Sequence, residues 1–182
     1  MPRLFIALKI PKDIREKIIT FRNEAMSDYA KFKWEPVEKI HLTLKFIGDV
    51  REEIVKEIQK DIMFVEEYGS FNCKFTKFGF FFKDKKPRIL WIGLNLENYV
   101  DDLVDRLNKG LEKLSIPSEK RKFNPHLTLK RMTGNEGKDF VDSFEKFKVQ
   151  EIEFKAGEIS LMKSDLLTSG SKYTEIKNYK LK

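Results

Sequence analysis

Cysteine is nearly absent from this 182-residue chain, and histidine is scarce. The one thiol, Cys73, excludes an internal disulfide and a redox pair. It suits a reducing compartment. Long apolar runs are missing as well. The stretch from Leu4 to Ile10 is interrupted by Lys9 and is too short for a signal peptide or a membrane span. The nine glycines form neither a G-x-G-x-x-G nor a G-x-x-x-x-G-K-[ST] loop, so dinucleotide and P-loop chemistry fit poorly. A soluble cytoplasmic protein with no membrane association is expected.

Apolar residues make up 41% of the chain and charged residues 36%, which excludes collagen-like, mucin-like and disordered classes. Lysine and arginine number 36 against 29 acidic residues, a net charge of +7. That excess favours an anionic partner without choosing among RNA, DNA, a nucleotide or a lipid headgroup.

The apolar pattern predicts alternating strands and helices. Leu4 to Ile10 is apolar on both parities, as in a strand covered on both faces. Ile14, Ile18 and Phe21 mark a helix over about residues 12–28. A strand runs from Ile40 to Ile47, and Asp49 with Glu52 has the form of a capping box before a helix carrying Ile54, Ile58, Ile62 and Val65. Phe71, Cys73 and Phe75 alternate on one parity, and Phe78, Phe80 and Phe82 on the other, so a bulge near Lys77 is expected in a strand whose aromatics go to the core. Arg88 to Asn95 pairs with it across a turn at Lys83–Pro87. A third helix carries Val100 to Leu114, and a strand comes next from Phe123 to Met132. A short helix is expected near 136–146, and two strands close the chain at about 149–163 and 172–180, joined by Thr168-Ser169-Gly170-Ser171. The order implies an α+β fold of two halves whose strands mix.

The strongest signal is an internal repeat. His41-Leu42-Thr43-Leu44-Lys45 recurs as His126-Leu127-Thr128-Leu129-Lys130, and these are the only two histidines. On a strand, His and Thr two residues apart share one face while the leucines seal the other. If the copies lie side by side, two imidazoles and two hydroxyls face one groove. One neutral imidazole can then take a proton from an attacking water or hydroxyl, and the other, protonated, can supply one to a leaving oxygen, because histidine titrates at about 6.5. The threonine hydroxyls can donate to non-bridging phosphate oxygens. Two histidines without clustered thiols or carboxylates make a poor metal site, so no metal or cofactor is expected. Which histidine is acid and which is base stays open on this reasoning.

These residues resemble the two-histidine (2H) phosphoesterase superfamily, and within it the RNA 2′,3′-cyclic phosphodiesterases, also described as 2′-5′ RNA ligases. The resemblance extends over Arg3-Leu4-Phe5-Ile6-Ala7, Lys33-Trp34, His41 to Gly48, Pro87 to Gly93, Pro125 to Arg131, and a late Ser164, Gly170 and Tyr173. It implies a single domain over residues 1–182, bilobal, with two pseudo-symmetric antiparallel sheets backed by helices and a central cleft. It also implies metal-independent hydrolysis of an RNA-terminal 2′,3′-cyclic phosphate to a 2′-phosphomonoester. Carried over, His41 is the proton donor and His126 the acceptor, with Thr43 and Thr128 holding the phosphate. The implied partner is an RNA with a cyclic phosphate end, tRNA fragments being one candidate, acted on by a monomer with no obligate protein partner.

Substrate contacts are assigned around the pair. Arg131 is placed to reach phosphate. Trp34 and Phe46 can stack on a base, although core packing is the ordinary fate of such rings. Lys45 and Lys130, with Lys33 and Lys122, can form a basic rim that draws RNA. Reversible 2′-5′ joining at the same site, and a non-catalytic RNA-binding module, are the alternative functions.

Overall fold

The computed structural model describes residues 1–97, 99–168 and 170–182. Ser169, in the expected final turn, lies outside the described residues. Strands β1 (Arg3–Lys9), β2 (His41–Asp49), β3 (Phe71–Lys83), β4 (Lys86–Leu96), β5 (His126–Arg131), β6 (Glu153–Ala156), β7 (Glu158–Leu167) and β8 (Gly170–Lys180) alternate with helices α1 (Lys12–Ala25), α2 (Val55–Asp61), α3 (Tyr99–Glu112) and α4 (Gly137–Lys146). No helix among the described residues is long and apolar enough to cross a membrane.

The strands lie in the order β6-β3-β4-β5-β2-β1-β7-β8, each antiparallel to its neighbours. Two four-stranded halves meet where β2 touches β5 at one bridged pair, Leu42 with Leu127. The chain builds β1 and β2 of one half, all four strands of the other, and then returns for β7 and β8. That return places β1 between β2 and β7, and both its faces are covered: Leu4, Ile6 and Leu8 join the core, while Phe5 on the other face packs against His41 and Tyr173.

Helices cover the sheet face opposite the histidines. On the β3 side, Phe21 of α1 meets Phe75 edge-on at 6.1 Å and Phe144 of α4 meets Phe78 at 5.0 Å. On the other half, the Tyr179 hydroxyl donates to the Gln59 carbonyl of α2 at 2.9 Å, with Ile58, Ile62, Leu103 and Leu107 fully buried.

Several sequence expectations are corrected. The closing stretch 149–163 is not one strand. Gly157 divides it, and β6 pairs with β3 at one end of the sheet while β7 pairs with β1 in the other half. The capping box is not formed either, because Asp49 accepts from the Arg3 guanidinium at 3.1 and 3.3 Å and a 3-10 turn begins at Glu52 without a side-chain cap. The Phe71–Phe82 aromatics are not all core. Phe71, Phe75, Phe78 and Phe80 are buried, but Phe81 is half-buried and Phe82 is exposed. The bulge near Lys77 is present, since Phe75 pairs with Leu94 and Phe78 with Ile92.

Candidate active site

Both motif copies begin a strand at the seam between the halves. With Leu42 opposite Leu127, the antiparallel register sets His41 across from Thr128 and Thr43 across from His126. All four therefore stand on one face, opposite the buried leucines, and the two imidazoles are diagonal neighbours, a relation that on such a ladder spans roughly 7–8 Å. All four are half-buried.

The two rings are held in the same way. His41 Nδ1 lies 2.6 Å from the Lys39 carbonyl oxygen, and His126 Nδ1 lies 2.7 Å from that of Asn124. A carbonyl only accepts, so each Nδ1 carries its hydrogen and donates. This leaves Nε2 as the working nitrogen of both rings: a base when neutral, an acid when protonated. Aromatic neighbours fix the ring planes. Phe5 stacks on His41 at 4.9 Å and Tyr173 meets its edge at 5.5 Å. Phe81 meets His126 edge-on at 4.7 Å, with Trp91 at 6.4 Å.

Burial pushes the His41 imidazole below its ordinary pKa. The bond to Lys39 opposes that shift, and the nearby His126 and Arg131 add to it. Burial lowers His126 too, against the bond to Asn124.

A β-bulge sits just after each threonine. Ile6 pairs with Lys45 but Ala7 with Thr43, so Leu44 is the extra residue in β2. Leu90 pairs with Lys130 but Trp91 with Thr128, so Leu129 is the extra residue in β5. Each bulge reverses the facing of the residues beyond it. The lysines turn inward, and Phe46 and Arg131 return to the groove side.

That reversal corrects the basic rim. Lys45 is 3% exposed, and its ammonium donates to Asn108 Oδ1 at 2.8 Å and the Pro117 carbonyl at 2.9 Å. Lys130 is 1% exposed and donates to the Lys33 carbonyl at 3.1 Å, with Glu136 Oε1 at 3.0 Å. Both ammonium groups are committed to the fold rather than to a ligand. Trp34 is likewise built into the structure. Its Nε1 donates to the Tyr29 carbonyl at 2.7 Å, and its ring lies against Phe140, Phe144 and the Arg22 guanidinium. Phe46 has the opposite outcome. It is 60% exposed and lines a cavity, so the core-packing expectation fails there.

Arg131 is exposed at the His41 end of the groove, with Nε 3.4 Å from Glu35 Oε1. Two recesses flank the histidines. One, of about 490 Å³, is lined by His41, Lys9, Lys39, Lys172 and Tyr173. The other, of about 900 Å³, holds His126, Thr43, Phe46 and Phe81, with Asp101, Asp105 and Glu119 in its wall together with Lys120, Arg121 and the expected rim residue Lys122. Sequence reasoning gives no positioning role to Phe5, Tyr173, Phe81, Trp91 or Glu35, which hold the rings and Arg131. Phe5, Trp91 and Tyr173 lie in the stretches that carry the family resemblance, which is the signal available for them. Phe81 is expected in the core, and for Glu35 the signal is nonlocal.

Two glycines make room beside His126. A Cβ on Gly79 would overlap the six-membered ring of Trp91, which lies across it, and a Cβ on Gly93 would overlap the Thr76 hydroxyl. Gly79→Ala is expected to cost about 1–3 kcal/mol, the usual penalty for overpacking, read as a lower urea midpoint with an unchanged slope.

The residues at 8–91 and 93–173 match the family model described as LigT like Phosphoesterase. A Methanocaldococcus jannaschii protein named RNA 2′,3′-cyclic phosphodiesterase is 32% identical over 97% of this chain and 99% of its own. A Bacillus subtilis protein of the same name is 28% identical, covering 99% of this chain and 97% of its own. Among solved structures, a Thermus thermophilus protein superimposes with a TM-score of 0.81 at 23% identity, covering 98% of this chain and 97% of that one. Escherichia coli LigT complexed with 3′-AMP does so at 0.77 and 24% identity, covering 100% and 99%. These structural likenesses concern the fold.

Proposed function

The chain belongs to the LigT-like phosphoesterase family, and on that premise we propose that it opens the 2′,3′-cyclic phosphate at an RNA end to a 2′-phosphomonoester. The observation that carries this reading is the matched pair of Nδ1–H donations, which present two Nε2 atoms on one face across a single bridged pair. On this reading, residues 1–182 work as one monomeric domain in the cytoplasm.

The reaction needs one proton removed and one delivered. His126 Nε2 takes a proton from water as its oxygen bonds to phosphorus. The P–O3′ bond breaks, and His41 Nε2–H protonates the departing 3′ oxygen. Thr43 and Thr128 donate to the non-bridging oxygens, where charge accumulates. His126 ends protonated and His41 neutral, and exchange with solvent resets both. Arg131 adds positive charge beside the phosphate from the His41 end.

The test is incubation of the protein, with chelator present, with an oligoribonucleotide bearing a 2′,3′-cyclic phosphate, followed by mass and positional analysis of the product. A 2′-phosphate is expected. An intact ring, or a 3′-phosphate product, overturns the proposal.

The depressed imidazoles set the pH dependence. Activity requires one ring charged and one neutral, so kcat/KM should trace a bell. Both pKa values lie below the ordinary histidine value. Near neutrality the free enzyme therefore holds less of its protonated acid than ordinary histidines would supply, and kcat/KM should rise as pH falls toward a maximum on the acid side of about 6.5. Initial-rate profiles at low substrate check this, and a maximum above pH 7 contradicts it.

A further inference from the structure

The outer part of the β3–β4 hairpin takes no part in the chemistry described above. β6 covers β3 only at Phe71–Lys74, and β5 covers β4 only between Ile89 and Gly93. The tip therefore projects past both neighbours. Phe82 pairs with Pro87 and Lys83 with Lys86, and Asp84 and Lys85 turn the chain with φ of 52° and 60°, a two-residue connection of the primed type. Lys83, Lys85, Lys86 and Arg88 are all exposed, and none has an ion-pair partner among the described residues. Asp84 is the one carboxylate in this tip.

The register connects this tip to the histidines along one sheet face. His126 stands opposite Gly93, Thr128 opposite Trp91, and Arg131 opposite Ile89. On β3, Gly79 stands opposite Trp91, Phe81 opposite Ile89, and Lys83 opposite Lys86. Residues 79, 81 and 83 share a face. A strip thus runs from His126 past Trp91 and Phe81 to the Lys83–Lys86 pair, spanning roughly 20 Å at ~3.3 Å per residue. Aromatic rings on an exposed sheet with unneutralised cations beyond them are what a single strand requires: faces for bases and charge for phosphates. The alternative exits hold cations too, but each sets them beside more acid than the hairpin tip does. The His126-side recess carries Lys120, Arg121 and Lys122 against Asp101, Asp105 and Glu119, with Arg121 already paired with Glu119. The His41-side recess carries Lys9, Lys39 and Lys172 against Glu38 and Glu175, with Lys9 already paired with Glu158 and Glu175.

We propose that the single-stranded RNA upstream of the reacting end lies along this strip, with Lys83 and Lys86 holding its backbone phosphates. This rests on the reading of the site as an RNA-end phosphodiesterase and assigns its substrate class: oligonucleotide ends in preference to cyclic mononucleotides.

The test compares the parent with Lys83→Gln/Lys86→Gln on two substrates, a 2′,3′-cyclic mononucleotide and a single-stranded oligoribonucleotide with the same terminal nucleotide. For the oligonucleotide, kcat/KM should fall on the order of tenfold, and the slope of its logarithm against log salt should shrink by about 1.4, or ~0.7 for each phosphate no longer held. Turnover of the mononucleotide, which is too short to reach the hairpin, should not change. An equal fall on both substrates, or no fall on the oligonucleotide, overturns the proposal. If the parent opens neither substrate, the catalytic reading fails instead. The strip is then judged by fluorescence anisotropy with a labelled oligonucleotide ending in a 2′-phosphate: weaker binding by the double variant supports it, and unchanged binding refutes it.

Discussion

Changing either histidine to alanine is expected to lower turnover of a cyclic-phosphate RNA end by about 10²–10⁴, the usual worth of a positioned general acid or base. The geometry explains why neither ring can substitute for the other. Each has a single free nitrogen, because its Nδ1–H is spent on a carbonyl two residues earlier in the chain. Each ring is also locked by different aromatics, Phe5 and Tyr173 on one side and Phe81 on the other. Since one turnover needs both proton transfers, the double variant should be little worse than either single one. The melting temperature should move little, because both rings are only half-buried and the leucines behind them carry the packing. Single-turnover rates with the purified variants decide the matter. A His41→Ala or His126→Ala protein that keeps more than about a tenth of parental kcat with its fold intact would remove that ring from the acid–base pair.

The histidine pair was legible in the sequence because a repeat states the facing of both copies at once. Two identical pentapeptides with His and Thr on one parity leave little choice about which side they share. The strand and helix order was also legible, because apolar periodicity is local. The bulges at Leu44 and Leu129 were not. Period-two alternation carries Lys45 and Lys130 onto the groove face, and only the chain beyond them shows the slip, in the buried Ile47 and in the groove-facing Arg131. The same kind of slip was readable at Lys77 because phenylalanines mark both parities there. The division at Gly157 was invisible for another reason. The two pieces pair with strands some 80 and 150 residues away in sequence, at Phe71–Lys74 and Leu4–Leu8, and nothing local encodes partners that distant. Asp49 shows the same limit. A capping box competes with any cation the fold brings near, and Arg3 arrives from 46 residues away.

The paired lysines behind the motifs should differ sharply in what they contribute to stability. Lys130 and Glu136 form an ion pair with side chains 1% and 2% exposed. Glu136 also accepts from the Thr133 amide at 2.9 Å, the Thr133 hydroxyl at 2.8 Å and the Gly134 amide at 2.9 Å. Burial alone would raise its carboxyl, but these amides, the hydroxyl and the ammonium together hold it at about 2. Lys130→Met removes the cation and leaves a buried carboxylate, a change that typically costs about 3–5 kcal/mol. Lys45 has no such partner. Its ammonium bonds a neutral amide and a carbonyl, and burial lowers its pKa. Lys45→Met therefore strips no buried anion of its counter-charge, and Asn108 Oδ1 keeps the Glu119 amide at 3.2 Å. Its cost should be near that of ordinary lost hydrogen bonds, about 1–2 kcal/mol. The sign of the pH dependence separates the two. The stabilisation carried by ionised Glu136 is complete above its unfolded value of about 4.3 and fades as pH falls toward 2. The Lys130→Met deficit should therefore be largest at pH 7 and smaller at pH 3. Without the ammonium, Glu136 is held down less and takes up its proton at higher pH than in the parent, while the parent's own stabilisation from ionised Glu136 is already fading. Denaturant midpoints for both variants at those two pH values test this, and equal deficits at pH 7, or a Lys130→Met deficit that grows on acidification, would show that the buried pair does not hold the β5 bulge in the way its geometry indicates.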